Sequence, residues 1–257
     1  GVKKIFIKRL LENLSFYLKK EEVKFKLLVS HDRIFLEGDF KKIGEVLKNI
    51  FGISWVAKAV LLENFSLADL TAFIKENYPN WLKKTQTFAL RVKQYEKTKE
   101  SKGEIIDTIA KAINRKVNLS APSREIFIER RKADWLLYFN KQRAGGGLPF
   151  ASAGKVLCLV SGGIDSPVAS YLMIKRGAEN IWLHFHSYPL VSKKSIEKTK
   201  ELAEIFLKYQ PRLKLLLVPF QQIQMEIKSK VPPKYRVLLY RRFMLKIAEI
   251  IAQKQNY

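Results

Sequence analysis

The sequence predicts a multidomain protein in which two α+β units precede an α/β unit with a doubly wound parallel sheet. Three observations lead to this prediction. The chain has 257 residues, more than a single domain usually holds. Hydrophobic residues make up 47% of it, which is enough for more than one core. Residues 155–257 alternate between strand and helix patterns, as in a parallel sheet covered by helices on both faces.

The first unit is predicted to span residues 1–63. Its elements are, in order, an amphipathic helix over 3–19, strands over 23–29 and 34–36, a helix over 40–49 and a strand over 54–61. Ser30, His31, Asp32 and Arg33 form a polar turn between the first two strands. The order α-β-β-α-β is that of a ferredoxin-like β-α-β-β-α-β unit without its first strand. We therefore expect either that the chain starts late or that another chain supplies this strand.

The second unit is predicted to span residues 64–142. Its elements are helices over 67–76 and 103–114 and strands over 87–92, 125–129 and 135–139. The apolar residues that face inward on the second helix are Ile105, Ile106, Ile109, Ala110 and Ile113. Arg130, Arg131 and Lys132 separate the last two strands, so we expect them at the tip of a basic hairpin.

The charge of the chain points to a polyanionic partner, because 48 lysines and arginines stand against 24 aspartates and glutamates, a formal net charge of +24. Residues 1–154 carry a net +13 and residues 155–257 a net +11. A lysine-rich thermophilic surface would raise glutamate along with lysine, which is not seen here. We therefore expect a nucleic acid partner. The candidate RNA-contacting residues are Arg91, Lys93, Arg130, Arg131, Lys132 and Arg143.

Residues 143–154 interrupt regular structure, because they contain the run Gly145-Gly146-Gly147-Leu148-Pro149. Two interpretations stay open for this segment. It is either a glycine-rich linker or a loop in which two stretches of backbone approach closely.

The most informative stretch is Ser161-Gly162-Gly163-Ile164-Asp165-Ser166-Pro167. It follows the apolar run 156–160, which predicts a central parallel strand covered on both faces. A helix is predicted behind it, with Pro167 at its first position and Gly177 at its end. The first turn of such a helix offers unpaired N–H groups, and the glycines let an anion approach the backbone. We therefore predict a phosphate-binding loop, with an ordinary capped Gly-Gly turn as the alternative.

Two common nucleotide-binding motifs are absent from this loop, which reduces the number of reactions it could support. No lysine stands directly before Ser166, where the pattern G-x-x-x-x-G-K-[ST] requires one, and G-x-G-x-x-G is absent. A kinase-like or dinucleotide-binding site is therefore disfavoured. The loop resembles the PP-loop of ATP pyrophosphatases, which holds the leaving pyrophosphate while AMP passes to an acceptor oxygen. This resemblance implies that Ser161 and Ser166 donate to phosphate oxygens and that Asp165 holds Mg²⁺ or orients the loop.

Other candidates lie outside the loop. His184 and Phe185 fall at the end of the next strand, where parallel sheets bind ligands. A structural role for His184, or an adenine contact through its backbone, is favoured over catalysis. Arg241 lies on the last long helix, where it either neutralises phosphates or belongs to a solvated face. The single cysteine, Cys158, lies inside a strand and is interpreted as a core residue.

Several further sequence segments make the chain similar to the tRNA 4-thiouridine synthetase family, also called tRNA sulfurtransferases. These segments are AGGGLP, SGGIDSPVASYLMIKRG, HFHS, LVPF and RRFM. The resemblance implies a ferredoxin-like domain over 1–63, a THUMP RNA-binding domain over 64–142 and a PP-loop domain over 155–257. It also implies that uridine 8 of tRNA is adenylated with ATP and converted to 4-thiouridine, and that sulfur is carried for thiamine thiazole synthesis.

The resemblance further implies a set of site residues and partners. The catalytic residues are Ser161, Asp165 and Ser166. The ATP-binding residues are Leu159, Val160, Ser161, Gly162, Gly163, Asp165, Ser166, His184, Phe185 and Arg241. ATP and Mg²⁺, the latter on Asp165, are the implied cofactors. The implied partners are tRNA, a cysteine desulfurase as sulfur donor and a second copy of the chain in a homodimer.

The chain departs from the family pattern at its end. The family continues past the position of Tyr257 with a nucleotide-contacting segment and a sulfur-bearing cysteine, which Cys158 does not match. We expect a second polypeptide to supply this remainder, with truncation as the alternative. Two other function classes stay open: a PP-loop synthetase with a small acceptor, and a tRNA-binding subunit without catalysis.

The expected location is the cytoplasm, with no membrane partner. No apolar run approaches the roughly 20 residues that cross a bilayer. The start of the chain is charged and amphipathic, without the pattern of a signal peptide. A single cysteine cannot form an internal disulfide.

Overall fold

The chain forms two compact units in the computed structural model, which describes residues 2–30, 33–96, 98–190 and 192–257. Unit one comprises Gly1–Trp55 and Arg143–Tyr257, and unit two comprises Val56–Gln142. The predicted turn residues His31 and Asp32 lie outside the described residues. Among the helices described, none combines the length and the apolar character needed to span a membrane.

The amino-terminal part of unit one contains two helices and an antiparallel pair of strands. These are α1 (Val2–Lys20), β1 (Phe25–Ser30), β2 (Arg33–Gly38) and α2 (Phe40–Leu47). Leu14 and Leu18 of α1 are buried. The Asp39 side chain begins α2, because it accepts hydrogen bonds from the amides of Lys41 and Lys42 at 2.9 and 3.2 Å. This order matches the predicted α-β-β-α series.

The single strand predicted over 54–61 is wrong. Two short strands occupy this stretch, β3 (Trp55–Val56) and β4 (Ala59–Leu62). β3 pairs with the two-residue strand Gln142–Arg143 (β8), whereas β4 belongs to the sheet of unit two. Only Lys58 interrupts the apolar pattern between the two strands, and a single lysine does not reveal that their partners differ.

Unit two is a four-stranded sheet with two helices on one face. Beside β4 it contains α3 (Leu67–Trp81), β5 (Phe88–Gln94), α4 (Lys102–Ala112), β6 (Arg124–Arg131) and β7 (Asp134–Phe139). The strand order is β4-β7-β6-β5, with β5 and β6 parallel and the other pairs antiparallel. Ile105 and Ile109 of α4 are fully buried in the core, as predicted. Capping boxes at Ser66 and Ser101 fix the starts of the two helices.

The carboxyl-terminal part of unit one is an α/β layer structure. It contains β9 (Lys155–Leu159), α5 (Asp165–Lys175), β10 (Glu179–His186), α6 (Lys194–Phe206), β11 (Lys214–Pro219), α7 (Gln221–Lys230) and α8 (Pro233–Gln255). The three strands are parallel in the order β11-β10-β9, which confirms the predicted parallel sheet. β10 is central here, and β9 lies at an edge with Leu159 38% exposed. The prediction that the strand before the loop is central and covered on both faces is therefore wrong for the described chain.

A buried polar cluster fastens α5 to β10. Ser170 Oγ accepts hydrogen bonds from Trp182 Nε1 at 2.6 Å and from Asn180 Nδ2 at 2.7 Å. All three residues are buried. An unpaired buried polar group would cost about 1–3 kcal/mol, so the cluster favours one rotation of α5 on the sheet. Because α5 begins at the predicted phosphate loop, this packing also positions the loop.

The glycine run is a close-approach loop, the second of its two sequence-based interpretations. Gly146 and Gly147 have φ values of +63° and +70°. The Gly146 amide donates to the Ile53 carbonyl at 2.8 Å, and the Leu148 amide donates to the Lys175 carbonyl at 2.9 Å. The loop therefore packs against the end of α5, within unit one.

Candidate functional site

The loop between β9 and α5 is shaped by its own two serines. The Ser161 amide donates to Ser166 Oγ at 2.9 Å, and the Gly163 amide donates to Ser161 Oγ at 3.3 Å. The two hydroxyl oxygens lie 3.2 Å apart. Side-chain to backbone bonds of this kind hold the turn in one conformation before any ligand arrives.

Three other backbone N–H groups of this loop are free to bind a ligand. In the part of the chain that the structure describes, the N–H groups of Gly162, Ile164 and Asp165 have no hydrogen-bond partner. The helix begins at Asp165, so Pro167 is its third residue and the prediction of Pro167 at the first position is wrong. No side chain caps the helix, which argues against the capped-turn alternative. The loop thus presents unpaired donors at the positive end of α5, as an anion site requires.

Neither loop glycine is required by the backbone. Gly162 and Gly163 are absent from the residues with positive φ. A Cβ on Gly163 would come within 3.4 Å of Ser161 Oγ only, and a Cβ on Gly162 would meet the Lys198 side chain at 3.4 Å, both ordinary contacts. Because the chain itself would tolerate a Cβ at either position, the close approach of an anion stays the predicted reason for these glycines.

Asp165 is an exposed carboxylate at the first position of α5. Within the described ranges it has no hydrogen-bond or ion-pair partner. Those ranges also contain no group of three or more metal-binding side chains. A lone carboxylate beside a phosphate site still fits Mg²⁺, which proteins often bind through one carboxylate together with substrate phosphates.

His184 is a buried positioning group. Its Nδ1 lies 2.9 Å from the Val160 carbonyl oxygen, which can only accept, so Nδ1 carries the proton. Nε2 lies 3.4 Å from Ser195 Oγ on α6. The imidazole therefore ties β10 to the residue before the loop and to the next helix, which agrees with the structural role favoured from sequence. Ser195 was not predicted, although a serine at the start of a helix behind a strand end is a recognisable signal.

The remaining nucleotide-contact candidates lie in different surroundings. Val160 is buried and its amide donates to the Leu183 carbonyl at 2.9 Å, while Leu159 is partly exposed at the edge of the sheet. The Phe185 ring packs edge-on against Phe220, with the ring centroids 5.4 Å apart. Arg241 is exposed on α8, and no hydrogen bond or ion pair joins it to the loop in the described chain. Its role toward a nucleotide stays a prediction.

The surroundings of Cys158 match its interpretation as a core residue. Burial raises the pKa of the Cys158 thiol, although a hydrogen bond with Ser170 acts in the opposite direction. The thiol is therefore protonated near neutral pH, which is the unreactive form.

The predicted basic residues of unit two are placed differently from expectation. Arg130 and Arg131 are the last residues of β6, and only Lys132, with φ of +54°, lies in the turn. The prediction that all three basic residues lie at the hairpin tip is therefore wrong for Arg130 and Arg131 and confirmed for Lys132. Arg130 Nη1 pairs with Glu100 Oε2 at 2.6 Å, and its side chain is 12% exposed.

The buried carboxylate of Glu129 is bound directly by Arg131 and is connected to Lys93 through the Tyr95 hydroxyl. Arg131 Nη2 lies 3.0 Å from Glu129 Oε2, and Tyr95 donates to the same oxygen at 3.3 Å. Lys93 Nζ donates to the Tyr95 hydroxyl at 2.8 Å. Glu129 is 2% exposed, so this network orders the cationic side chains on the sheet face that α3 and α4 do not cover. No sequence pattern indicates the burial of Glu129, because strand alternation alone assigns this residue to a solvated face.

Two further predicted RNA contacts are exposed. Arg91 pairs with Glu125 Oε1 at 2.8 Å and also donates to the Leu119 carbonyl at 3.1 Å. Arg143 is exposed on β8. The structure therefore leaves Arg91, Lys132 and Arg143 open to solvent and holds Arg130 in an internal pair.

Three family models match consecutive parts of the chain. The ThiI ferredoxin-like domain matches residues 1–57, the THUMP domain matches residues 67–140, and the model described as Thiamine biosynthesis protein (ThiI) matches residues 151–257. The chain is 35% identical over 261 residues to a probable tRNA sulfurtransferase of Metamycoplasma arthritidis, covering 98% of the chain and 66% of that relative. It is also 47% identical over 140 residues to a probable tRNA sulfurtransferase of Thermus thermophilus, covering 54% of the chain and 34% of the relative.

Solved structures support the same grouping. A crystal structure of a 4-thiouridine synthetase–RNA complex with bound ATP superposes with a TM-score of 0.84 at 28% identity, over 100% of this chain and 68% of that one. A protein of Pyrococcus horikoshii superposes with a TM-score of 0.71 at 21% identity, over 93% and 94% of the two chains, which supports the fold alone. The chain spans about two thirds of the length of the first of the curated relatives.

Proposed function

The chain belongs to the tRNA sulfurtransferase (4-thiouridine synthetase) family, and from this premise we propose that it binds ATP at the loop between β9 and α5 and adenylates a tRNA uridine. The observation that carries this proposal is the loop itself. Its serines hold the turn, its first-turn amides are open, and its glycines leave space that the fold does not need. A relative with this fold has been solved with RNA and bound ATP.

The proposed reaction is an in-line displacement at the α-phosphorus of ATP. A bond forms between the uracil O4 of uridine 8 and the α-phosphorus, and the N3 proton of the base is released to solvent. The bond to the bridging oxygen breaks, and pyrophosphate leaves with the electron pair. The loop amides and the hydroxyls of Ser161 and Ser166 would donate to pyrophosphate oxygens as their charge rises. Asp165, together with phosphate oxygens, would hold Mg²⁺, which supplies charge neutralisation when bound.

The remaining site residues are proposed to position the nucleotide. The backbone at Leu159, Val160, His184 and Phe185 lies at the carboxyl ends of β9 and β10, where α/β sheets bind their ligands. Arg241 would neutralise a phosphate from the side of α8. The terminal sulfur of a persulfide, which a cysteine desulfurase would form on the second polypeptide, would then bond to C4 as AMP leaves. A second thiol would cleave the resulting S–S bond and be oxidised to a disulfide, which leaves the sulfur on the base.

Two finer proposals concern partners. The matched model described as a thiamine biosynthesis protein favours a second use of the transferred sulfur, in thiamine thiazole synthesis. We also propose a homodimer as the assembly that acts on tRNA. Each is independent of the ATP site, so its failure would leave the adenylation proposal intact.

The proposed function predicts ATP cleavage that depends on tRNA. Unmodified tRNA, ATP, Mg²⁺, a cysteine desulfurase and cysteine are incubated with the protein, and pyrophosphate and 4-thiouridine are measured. We expect pyrophosphate in proportion to tRNA. We expect 4-thiouridine only when the desulfurase, a thiol reductant and the second polypeptide with the sulfur-bearing cysteine are also present. Pyrophosphate release stimulated by a small acceptor but not by tRNA would favour the small-acceptor synthetase. ATP binding without any cleavage would favour a tRNA-binding subunit.

The basic residues of unit two predict separable effects on RNA binding and on stability. Lys132→Gln should weaken tRNA binding and reduce the slope of log affinity against log salt by about 0.7–0.9, because one phosphate contact is lost. Arg130→Gln should instead lower the free energy of unfolding and leave the salt slope unchanged, because the largely buried Arg130 side chain loses its ion pair with Glu100. Fluorescence anisotropy over a salt series and urea unfolding measure the two effects.

The matched control is Lys111→Gln, which removes another exposed lysine of unit two, on α4 and away from the β6–β7 turn. It should leave the salt slope within error. Equal losses for Lys132→Gln and Lys111→Gln would show that net charge, and not a defined face of unit two, determines RNA affinity.

A further inference from the structure

A lysine on α6 lies beside the loop. The Lys198 side chain passes Gly162 so closely that a Cβ on Gly162 would lie 3.4 Å from its Cδ and 3.9 Å from its Cγ. The ammonium is only two bonds beyond Cδ, so rotation about the last two torsions of the side chain can bring it to the loop. The side chain is exposed, and in the described ranges it has no ion pair or hydrogen bond.

The rotation of α6 that places Lys198 here is fixed by buried groups. Thr199 is fully buried, and its hydroxyl donates to the Ser195 carbonyl at 2.8 Å. Ser195 Oγ lies 3.4 Å from His184 Nε2, and His184 is bound through Nδ1 to the Val160 carbonyl. The residue before the loop, the central strand and α6 are therefore connected through one imidazole. Lys198 is presented from this anchored turn and not from a mobile segment.

From this geometry we propose that Lys198 is a phosphate-binding residue of the ATP site and neutralises the leaving pyrophosphate. The inference rests on the proposed function, because it assumes that the loop holds the pyrophosphate part of ATP. The loop supplies amide and hydroxyl donors but no cation of its own, since the segment Ser161–Ser166 contains only the carboxylate of Asp165 as a charged side chain. When the bond between the α-phosphorus and the bridging oxygen breaks, the electron pair and its charge pass to pyrophosphate. A lysine beside Gly162 neutralises charge that appears there.

The same contact gives Gly162 a second role. The lysine stem occupies the space beside this glycine, so a side chain larger than alanine at position 162 would displace it from the loop. The sequence pattern explains this glycine only by the approach of an anion. The structure adds that the glycine also admits the cation that accompanies the anion.

Calorimetric titration with inorganic pyrophosphate and Mg²⁺ tests the proposal without requiring turnover. Lys198→Gln should weaken pyrophosphate binding about 10- to 100-fold, because a charge-assisted hydrogen bond is lost. Binding of adenosine should change less than about twofold, since adenosine lacks the phosphates that the lysine contacts. Lys198→Arg should retain most of the pyrophosphate affinity, because it keeps the charge. In the tRNA-dependent reaction, Lys198→Gln should lower kcat as well as raise KM for ATP.

The matched control is Lys200→Gln, which removes an exposed lysine two residues further along α6, on another side of the helix. It should leave pyrophosphate affinity unchanged. Equal pyrophosphate binding by the wild type and Lys198→Gln would overturn the inference while leaving the ATP site in place. Equal losses in Lys198→Gln and Lys200→Gln would overturn it too, since general charge would then be responsible. Absence of pyrophosphate and ATP binding in the wild type would instead refute the proposed function.

Discussion

Replacing Asp165 with alanine is expected to reduce tRNA-dependent pyrophosphate release at least about a hundredfold, the size of effect seen when one preorganised charge-stabilising group is removed. The structure separates this chemical effect from folding. Asp165 is exposed, caps no helix, and has no hydrogen-bond or ion-pair partner within the described ranges. Its contribution to the positive end of α5 is worth about 0.3–1 kcal/mol, so the variant should remain folded. Affinity for tRNA should stay nearly unchanged.

Asp165→Asn separates charge from shape, because the amide keeps the size of the carboxylate but binds Mg²⁺ poorly. It should lose activity almost as completely as Asp165→Ala if the carboxylate holds the metal, and raising the Mg²⁺ concentration should recover part of the rate. If Asp165 only orients the loop, Asp165→Asn should retain most activity. Glu204→Ala, which removes an exposed carboxylate from α6, serves as the control and should be fully active. Normal turnover by Asp165→Ala would refute the proposed role of the loop.

Much of the site could be predicted because its determinants are local in the chain. The loop, its serines and the helix that follows occupy consecutive residues, and Gly177 ends that helix with φ of +88°, as its position behind Arg176 indicated. The amides of Gly177 and Ala178 donate to the carbonyls of Ile174 and Met173, which is the arrangement that favours glycine there. The sequence pattern and the backbone conformation therefore agree at the end of this helix.

The features that sequence missed depend on partners far away in the chain. An apolar run predicts β9 as a strand, but which strand of the sheet is central follows from pairing with β10. The sequence predicts an RNA contact at Arg130, because nothing local shows its pairing with Glu100, 30 residues away. Lys198 carried no motif, since its nearness to Gly162 arises from the packing of α6 on β10. Sequence patterns predict which groups of the loop can donate hydrogen bonds. The charged side chains near the loop can be recognised only from the folded structure.

Among the substitutions considered, the largest loss of stability is expected in the close-approach loop, at Gly147. Gly147→Ala should lower the free energy of unfolding by at least about 3 kcal/mol, because two costs combine at one residue. An L-residue at φ of +70° costs about 1–2 kcal/mol. The added Cβ would also collide with the Lys175 carbonyl oxygen, which accepts the hydrogen bond from the Leu148 amide. Relief of this collision requires the loop to move away from the end of α5, and urea unfolding measures the loss.

Gly146→Ala separates the two costs. Gly146 has nearly the same φ, +63°, but a Cβ there meets no atom within 4 Å. It should lose only the conformational cost of about 1–2 kcal/mol, so the difference between the two variants measures the collision at Lys175. Equal and small losses would mean that the segment behaves as a flexible linker, the interpretation that the structure disfavours. Because Lys175 ends the helix that begins at Asp165, a larger loss in Gly147→Ala would also show that the glycine run supports the helix on which the proposed ATP site depends.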